Sequence, residues 1–180
     1  MDSLAGKLLI ANGDLFDPNF RQTVVLIVDH SDEGALGVVL NRSAGFPAVD
    51  ALPTLGELLP PESELFIGGP VQPEAGVVLA EFDPPEFAPR LAFGAIGFIT
   101  GEAELTSLVG VRRARVFAGY SGWGPGQVEE EIAQDAWIIE PAQPDDIFAT
   151  QPDQLWSSVL RRKGGDYELL ATMPSDPSMN

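Results

Sequence analysis

The chain contains no cysteine and only one histidine, His30. The first absence excludes disulfide scaffolds, thiol nucleophiles and every cysteine-ligated metal or iron–sulfur centre. The second excludes a poly-histidine zinc site within one chain. Positive charge is also scarce: 10 Lys and Arg stand against 27 Asp and Glu, for a net charge of −17. A field of that sign repels phosphate backbones and anionic lipid, so neither direct nucleic-acid binding nor membrane association is expected. Long apolar runs are missing too. The longest is Val24–Val28, whereas a spanning helix needs ~20 apolar residues. No cationic stretch followed by an apolar one opens the chain, so no secretory signal is read there. The expectation is a soluble, cytoplasmic domain without a metal site or cofactor.

What is present suits one core. The 180 residues are 44% hydrophobic and 21% charged, which fits a single domain. Residues 1–165 are expected to form it. Residues 166–180 form a C-terminal segment that docks in part through Tyr167, Leu169 and Leu170 and runs out as a flexible tail from Pro174.

Apolar runs alternate with turn residues. Lys7–Ala11, Thr23–Asp29 and Ala35–Asn41 read as strands. The last two are continuous apolar runs, the pattern of strands covered on both faces. The polar His30–Gly34 between them predicts a hairpin. Leu52, Leu55, Leu58 and Leu59 have helical spacing over Asp50–Leu59, ended by Pro60 and Pro61. Leu65–Ile67 and Gly76–Phe82 read as a strand pair, followed by an irregular Pro84–Pro89. A strand over Ala95–Ile99 and a helix over Glu102–Val109 come next. Arg115–Tyr120 reads as a strand, Ser121–Pro125 as a loop, Gly126–Asp135 as a helix, Trp137–Ile139 as a strand and Asp145–Phe148 as a turn. Asp153–Lys163 places Leu155, Trp156, Val159 and Leu160 on one helical face, stopped by Gly164-Gly165. Hairpins together with helix-connected strands imply an α+β domain.

Gly119–Gln127 is the densest motif. It lacks the phosphate-loop lysine and the dinucleotide-binding glycine register. Glu129, Glu130 and Glu131 would moreover repel a phosphate at the start of the next helix. The glycines are therefore read as backbone geometry, with Trp123 packed over a tight turn. Ser121 is no nucleophile elbow, because Trp123 stands where that pattern needs glycine. His30 has no identifiable partner in the sequence. The basic clusters Arg112, Arg113 and Arg115, and Arg161, Arg162 and Lys163, read as a solvated turn and as a helix end complementing its dipole. Asn41-Arg42 differs: a polar pair directly after a buried strand points to a cleft.

Taken in order, Gly6–Ala11, Asp17–Phe20 with Thr23–Val25, His30 with Gly34–Arg42, Gly68–Val71, Gly119–Trp123 with Gly126-Gln127, Glu131, Ala136-Trp137, Trp156 and Met173-Pro174 resemble the AlgH/YqgE family of bacterial proteins. The likeness spans almost the whole chain. Gly13, Gln22, Ser43 and Ala80 depart from the family pattern; Ala80 stands where a histidine often ends the strand. The resemblance implies an α+β fold with a mixed, bifurcated sheet rolled into a pseudo-barrel and about four short helices around it. It brings no enzymatic activity, cofactor or catalytic residue. The family's name derives from a proposed role in transcriptional control of alginate synthesis, and −17 net charge argues against direct DNA reading.

The leading functional reading is a non-enzymatic binding or regulatory protein acting through an unidentified protein partner or small ligand. The alternative is an enzyme with a carboxylate/arginine site for a small anionic substrate, using Asp17 or His30 with Arg21 and Arg42 as anion clamps. Candidate binding residues are Asp17, Arg21, Asn41, Arg42, Gly68, Gly69, Tyr120 and Trp123. Their site requires Arg21 and Arg42 to lie on the same side of the domain.

Overall fold

The computed structural model describes residues 3–13, 17–18, 20–53, 59–100 and 108–174. Three strands begin it: β1 (Lys7–Ala11), β2 (Val24–Ser31) and β3 (Gly34–Val39). They form an antiparallel meander in which Ile10 pairs with Val24 and Val25 with Val39. The His30–Gly34 turn closes the β2–β3 hairpin as its composition predicts. Alternation resolves the continuous apolar runs. Leu8, Ile10, Leu26 and Val38 face one cluster, whereas Leu9, Ala11, Val25, Ile27 and Val39 face another. Val24–Val28 is buried throughout. Each such aliphatic side chain contributes roughly 1.5–3 kcal/mol by leaving water, so both faces must stay covered.

β4 (Ser43–Pro47) and β5 (Glu64–Ile67) flank a one-turn helix, α1 (Ala48–Ala51). The helix expected over Asp50–Leu59 starts earlier and stops at Leu52, whose φ of −132° is not helical. Residues 54–58 lie outside the described residues. β6 (Val71–Phe82), β7 (Leu91–Phe93), β8 (Ile96–Thr100) and β9 (Val111–Trp123) complete the middle of the chain. The Pro84–Pro89 stretch holds a single 3-10 turn. The Glu102–Val109 helix falls mostly on residues 101–107, outside the described ones.

Two corrections concern β9. The expected partnership of β5 with β6 is not formed. Both strands instead pair with β9, β5 in parallel and β6 antiparallel. And β9 does not end at Tyr120: it continues through Ser121-Gly122-Trp123, which pair with Gly37, Leu36 and Ala35 of β3. Side-chain periodicity gives way there to glycine, so the extension carries no apolar signature. The result is a ten-stranded sheet in the order β10-β1-β2-β3-β9-β6-β8-β7, forked at β9, with β5 and β4 on the second branch. β10 (Trp137–Pro141) pairs with β1. Only β5·β9 is parallel among these pairings.

The sheet curls without closing into a true barrel. Its seam runs between β7 and β2, where side chains replace backbone hydrogen bonds. Arg90 pairs with Asp29 at 2.8 Å. Phe93 fills the space beside Gly6, where a Cβ would lie 2.9 Å from the Phe93 Cβ. Among the described residues, four further short helices cover the sheet: α2 (Gln127–Ala133), α3 (Pro144–Ile147, expected as a turn), α4 (Leu155–Lys163) and α5 (Tyr167–Leu170). α4 buries Leu155, Trp156, Val159 and Leu160, the face its spacing predicts. Ala171 is buried against the core and its carbonyl accepts the Ser157 hydroxyl, whereas Leu169 is exposed. Residues 175–180 are not described. No helix among the described residues is long and apolar enough to cross a membrane.

Candidate functional site

The polar pair after β3 reaches across to the loop that precedes β2. Asn41 Oδ1 accepts the Val24 N–H at 3.0 Å, and Asn41 Nδ2 donates to the Gln22 carbonyl at 3.0 Å. This brace holds Gln22 at a φ of +53°. Arg42 Nη2 donates to the Arg21 carbonyl at 3.1 Å. Burial lowers the Arg42 guanidinium pKa, and the nearby Arg21 charge lowers it further against the opposing effect of Asp17. Asp17, Arg21, Asn41 and Arg42 therefore share one patch, and Arg21 and Arg42 lie on the same side of the domain. Asn41, read from sequence as facing a cleft, spends its amide on main chain.

Gly68 and Gly69 adjoin this patch through backbone. The Val39 N–H donates to the Gly68 carbonyl and the Ile67 N–H to the Arg42 carbonyl, both at 2.8 Å. Both glycines serve the fork of the sheet. A Cβ on Gly68 would lie 2.4 Å from the Gly119 carbonyl oxygen, and one on Gly69 would lie 2.2 Å from that of Tyr120. The fully buried Ser121 hydroxyl donates to the Gly68 carbonyl at 3.2 Å. Tyr120 thus belongs to the crossing rather than to the arginine patch.

Trp123 lies farther along β9 in an aromatic cluster. Its ring centroid is 6.2 Å from that of Phe20 and 6.1 Å from that of Trp137. Glu131 on α2 accepts both indole N–H groups, at 3.2 Å from Trp123 and 2.9 Å from Trp137, and its other oxygen accepts the Gln127 amide at 3.0 Å. With three neutral donors on one carboxylate, Trp123, Gln127, Glu131 and Trp137 fasten α2 over the apolar face of β1–β3.

Further partnerships escaped the sequence reading. His30 pairs with Glu129 of α2 through Nε2, while Nδ1 accepts the Leu4 N–H at 2.9 Å. Both ring nitrogens are engaged. The hydrogen bond from His30 holds the Glu129 carboxyl below its ordinary value. A cleft of about 400 Å³ opens beside them, lined by Ser3, His30, Ser31, Asp32, Gly126 and Glu129. His30 is six residues along β2 from Val24, about 20 Å at ~3.3 Å per residue. It therefore does not converge with Arg21 and Arg42. Among the described residues, no three His, Asp or Glu side chains are grouped to hold a metal ion.

Arg113, Arg115 and Arg162 of the basic clusters serve the fold as well. Arg113 and Arg115 lie on β9 rather than in a solvated turn. Arg113 pairs with Glu81 and Asp145. Arg115 lies 4.4 Å from the Phe66 ring centroid and donates to the Ile147 and Ala149 carbonyls, and burial lowers its pKa. Arg162 forks onto buried Asp146 at 2.8 and 3.0 Å.

Comparison with known proteins agrees with this architecture. A solution structure of the AlgH protein from Pseudomonas aeruginosa superposes with a TM-score of 0.72 at 32% identity, covering 96% of this chain and 95% of that one. A crystal structure of a Corynebacterium diphtheriae protein shares the fold with a TM-score of 0.82 at 24% identity, covering 96% and 94%. A UPF0301 protein from Streptomyces coelicolor is 42% identical over all of this chain and 97% of its own length. One from Thermobifida fusca is 40% identical over 99% and 96%. The family described as AlgH-like, DUF179, matches residues 8–168, and the chain belongs to it.

Proposed function

We propose that this protein is a binding domain whose ligand is a small anion held at the Arg21–Arg42 patch, and that it acts in regulation through occupancy of that site. The observation that supports this reading is the gathering of two guanidinium groups, one of them partly buried, in a chain of net charge −17. Asp17 offsets part of the cost of holding these like charges together, and a bound anion adds charge-assisted hydrogen bonds to both guanidinium groups. The overall negative field opposes duplex DNA far more than it opposes a small anion, because a phosphate backbone needs many cationic contacts at once. His30 takes no part, lying at the far end of β2 from Val24, about 20 Å along the strand.

Calorimetric titration with inorganic pyrophosphate and with citrate tests the proposal. At least one should bind, more weakly as salt rises. Arg21→Gln should weaken binding by roughly 10- to 100-fold, given ~1.5–3 kcal/mol for a hydrogen bond to a charged group. Arg112→Gln, at an exposed side chain on β9, should not. Equal binding by the wild type and Arg21→Gln, or no heat with either anion, would refute it. Breakdown of the bound pyrophosphate would make the patch, with Asp17 as its acid–base group, an enzyme site instead.

A further inference from the structure

His30 sits where three parts of the chain meet. β2 carries it, α2 presents Glu129, and the N-terminal segment presents the Leu4 N–H. The imidazole is only 5% exposed. Nδ1 accepts a hydrogen bond, so it carries no proton; the ring proton is on Nε2 and is donated to Glu129. The ring in this arrangement is neutral, with both nitrogens satisfied.

A second proton can enter only at Nδ1. There it would face the Leu4 N–H, donor against donor, with no acceptor between them. The opposite end behaves in the opposite way, because an imidazolium donates a stronger, charge-assisted hydrogen bond to Glu129. Protonation thus keeps one contact and breaks the other. The groups around the ring fit this outcome. Glu129 and Asp32 line the same cleft as His30. Asp29 is turned away and paired with Arg90. Glu130 is exposed and Glu131 is held by Trp123 and Trp137. An imidazolium formed here meets the carboxylates of Glu129 and Asp32, and the charge of the N-terminal ammonium also acts on Glu129.

Breaking the Leu4 contact has a defined mechanical reach. The Leu4 side chain is 6% exposed and belongs to the cluster that contains Val25, Ile27 and Trp123. Two residues on, the Gly6 N–H is tied to the Ile27 carbonyl at 2.9 Å, and Gly6 itself has a φ of +81°. That glycine is a natural pivot. The geometry points to His30 as a proton-operated latch: neutral, it holds the N-terminal segment on the sheet; protonated, it releases Leu4 and uncovers an apolar seat beside Trp123.

Because His30 is the only histidine, its ring signals are unambiguous in a proton–nitrogen NMR titration from about pH 7.5 to about pH 5. The Leu4 amide shift should follow the imidazole with the same midpoint. Its hydrogen exchange, referenced to the Leu9 amide, should accelerate at least about tenfold across that midpoint, the equivalent of ~1.4 kcal/mol of lost protection. His30→Gln should abolish the pH response of Leu4, whereas Glu129→Gln should move the midpoint and keep the coupling. A Leu4 amide unchanged through the imidazole titration would overturn the latch. So would a ring that does not titrate in this range, or an unaltered Leu4 response in His30→Gln. If His30→Gln does not fold, the wild-type titration decides alone.

Discussion

Four glycines lie close together at the fork of the sheet, and the structure assigns them unequal consequences. Gly119 has a φ of +74°, and a Cβ there would lie 2.6 Å from the Gly69 carbonyl oxygen and 3.0 Å from that of Val71. Both obstacles are backbone, which cannot rotate aside as a side chain can. Gly119→Ala therefore incurs ~1–2 kcal/mol for the left-handed conformation and a further ~1–3 kcal/mol for overpacking. The total, about 2–5 kcal/mol, corresponds to a fall in Tm of roughly 5–15 °C for a domain of this size. Gly122, three residues on in the same motif, does not have a positive φ, and its Cβ would meet nothing closer than Val71 Cγ2 at 3.9 Å. Gly122→Ala should change stability by less than ~1 kcal/mol, and toward stabilisation, because alanine restricts the unfolded chain. Thermal unfolding followed by circular dichroism measures both. A Gly122→Ala variant that melts below Gly119→Ala would refute the assignment of the glycines to a backbone crossing.

Val25→Asp should prevent folding, since it places an unpaired charge at a fully buried position at a cost beyond ~4 kcal/mol; loss of the cooperative thermal transition checks this. Asp146→Asn should destabilise by about 3–5 kcal/mol, because Arg162 loses its bidentate partner next to a 5% exposed site; urea titration gives the value. Glu131→Gln turns one acceptor oxygen into a donor facing indole or amide N–H groups, and should lose ~1–3 kcal/mol with a shift in tryptophan emission. The His30 hydrogen bond lowers the Glu129 carboxyl, so its stabilisation is fully present above the unfolded glutamate value and is lost as pH falls through the folded one. Glu129→Gln should accordingly flatten the acid limb of the stability–pH curve.

Much of the architecture was legible wherever burial has a period. The meander of β1, β2 and β3, and the helix α4 with its four-residue apolar face, follow from apolar spacing and turn chemistry. The path of β9 through Ser121-Gly122-Trp123 was not legible. Its glycines report a crossing with Gly68-Gly69, and that crossing exists only once distant strands have met. The site divides in the same way. Asp17, Arg21, Asn41 and Arg42 were gathered from their places at element ends, and they do lie together. Gly68 and Gly69 share that place at element ends and Tyr120 and Trp123 belong to the glycine-rich motif, but the sheet fork and the aromatic cluster account for these four. Glu129 was seen only as a helix-start acid, because nothing local to it points to His30, which arrives from another strand.

The order in which strands pair has a consequence for synthesis. β3 takes its second neighbour only when Ser121–Trp123 have been made, and β1 only when Trp137–Pro141 have. At ~5–20 residues per second, the β1–β3 meander waits on the order of ten seconds with both flanks unpaired. Its buried-run strands are then exposed to other nascent chains, the condition that favours edge-to-edge association. Yield in the cell should therefore depend on translation speed between Asn41 and Trp123 and on chaperone supply, even for variants whose finished fold is as stable as the wild type.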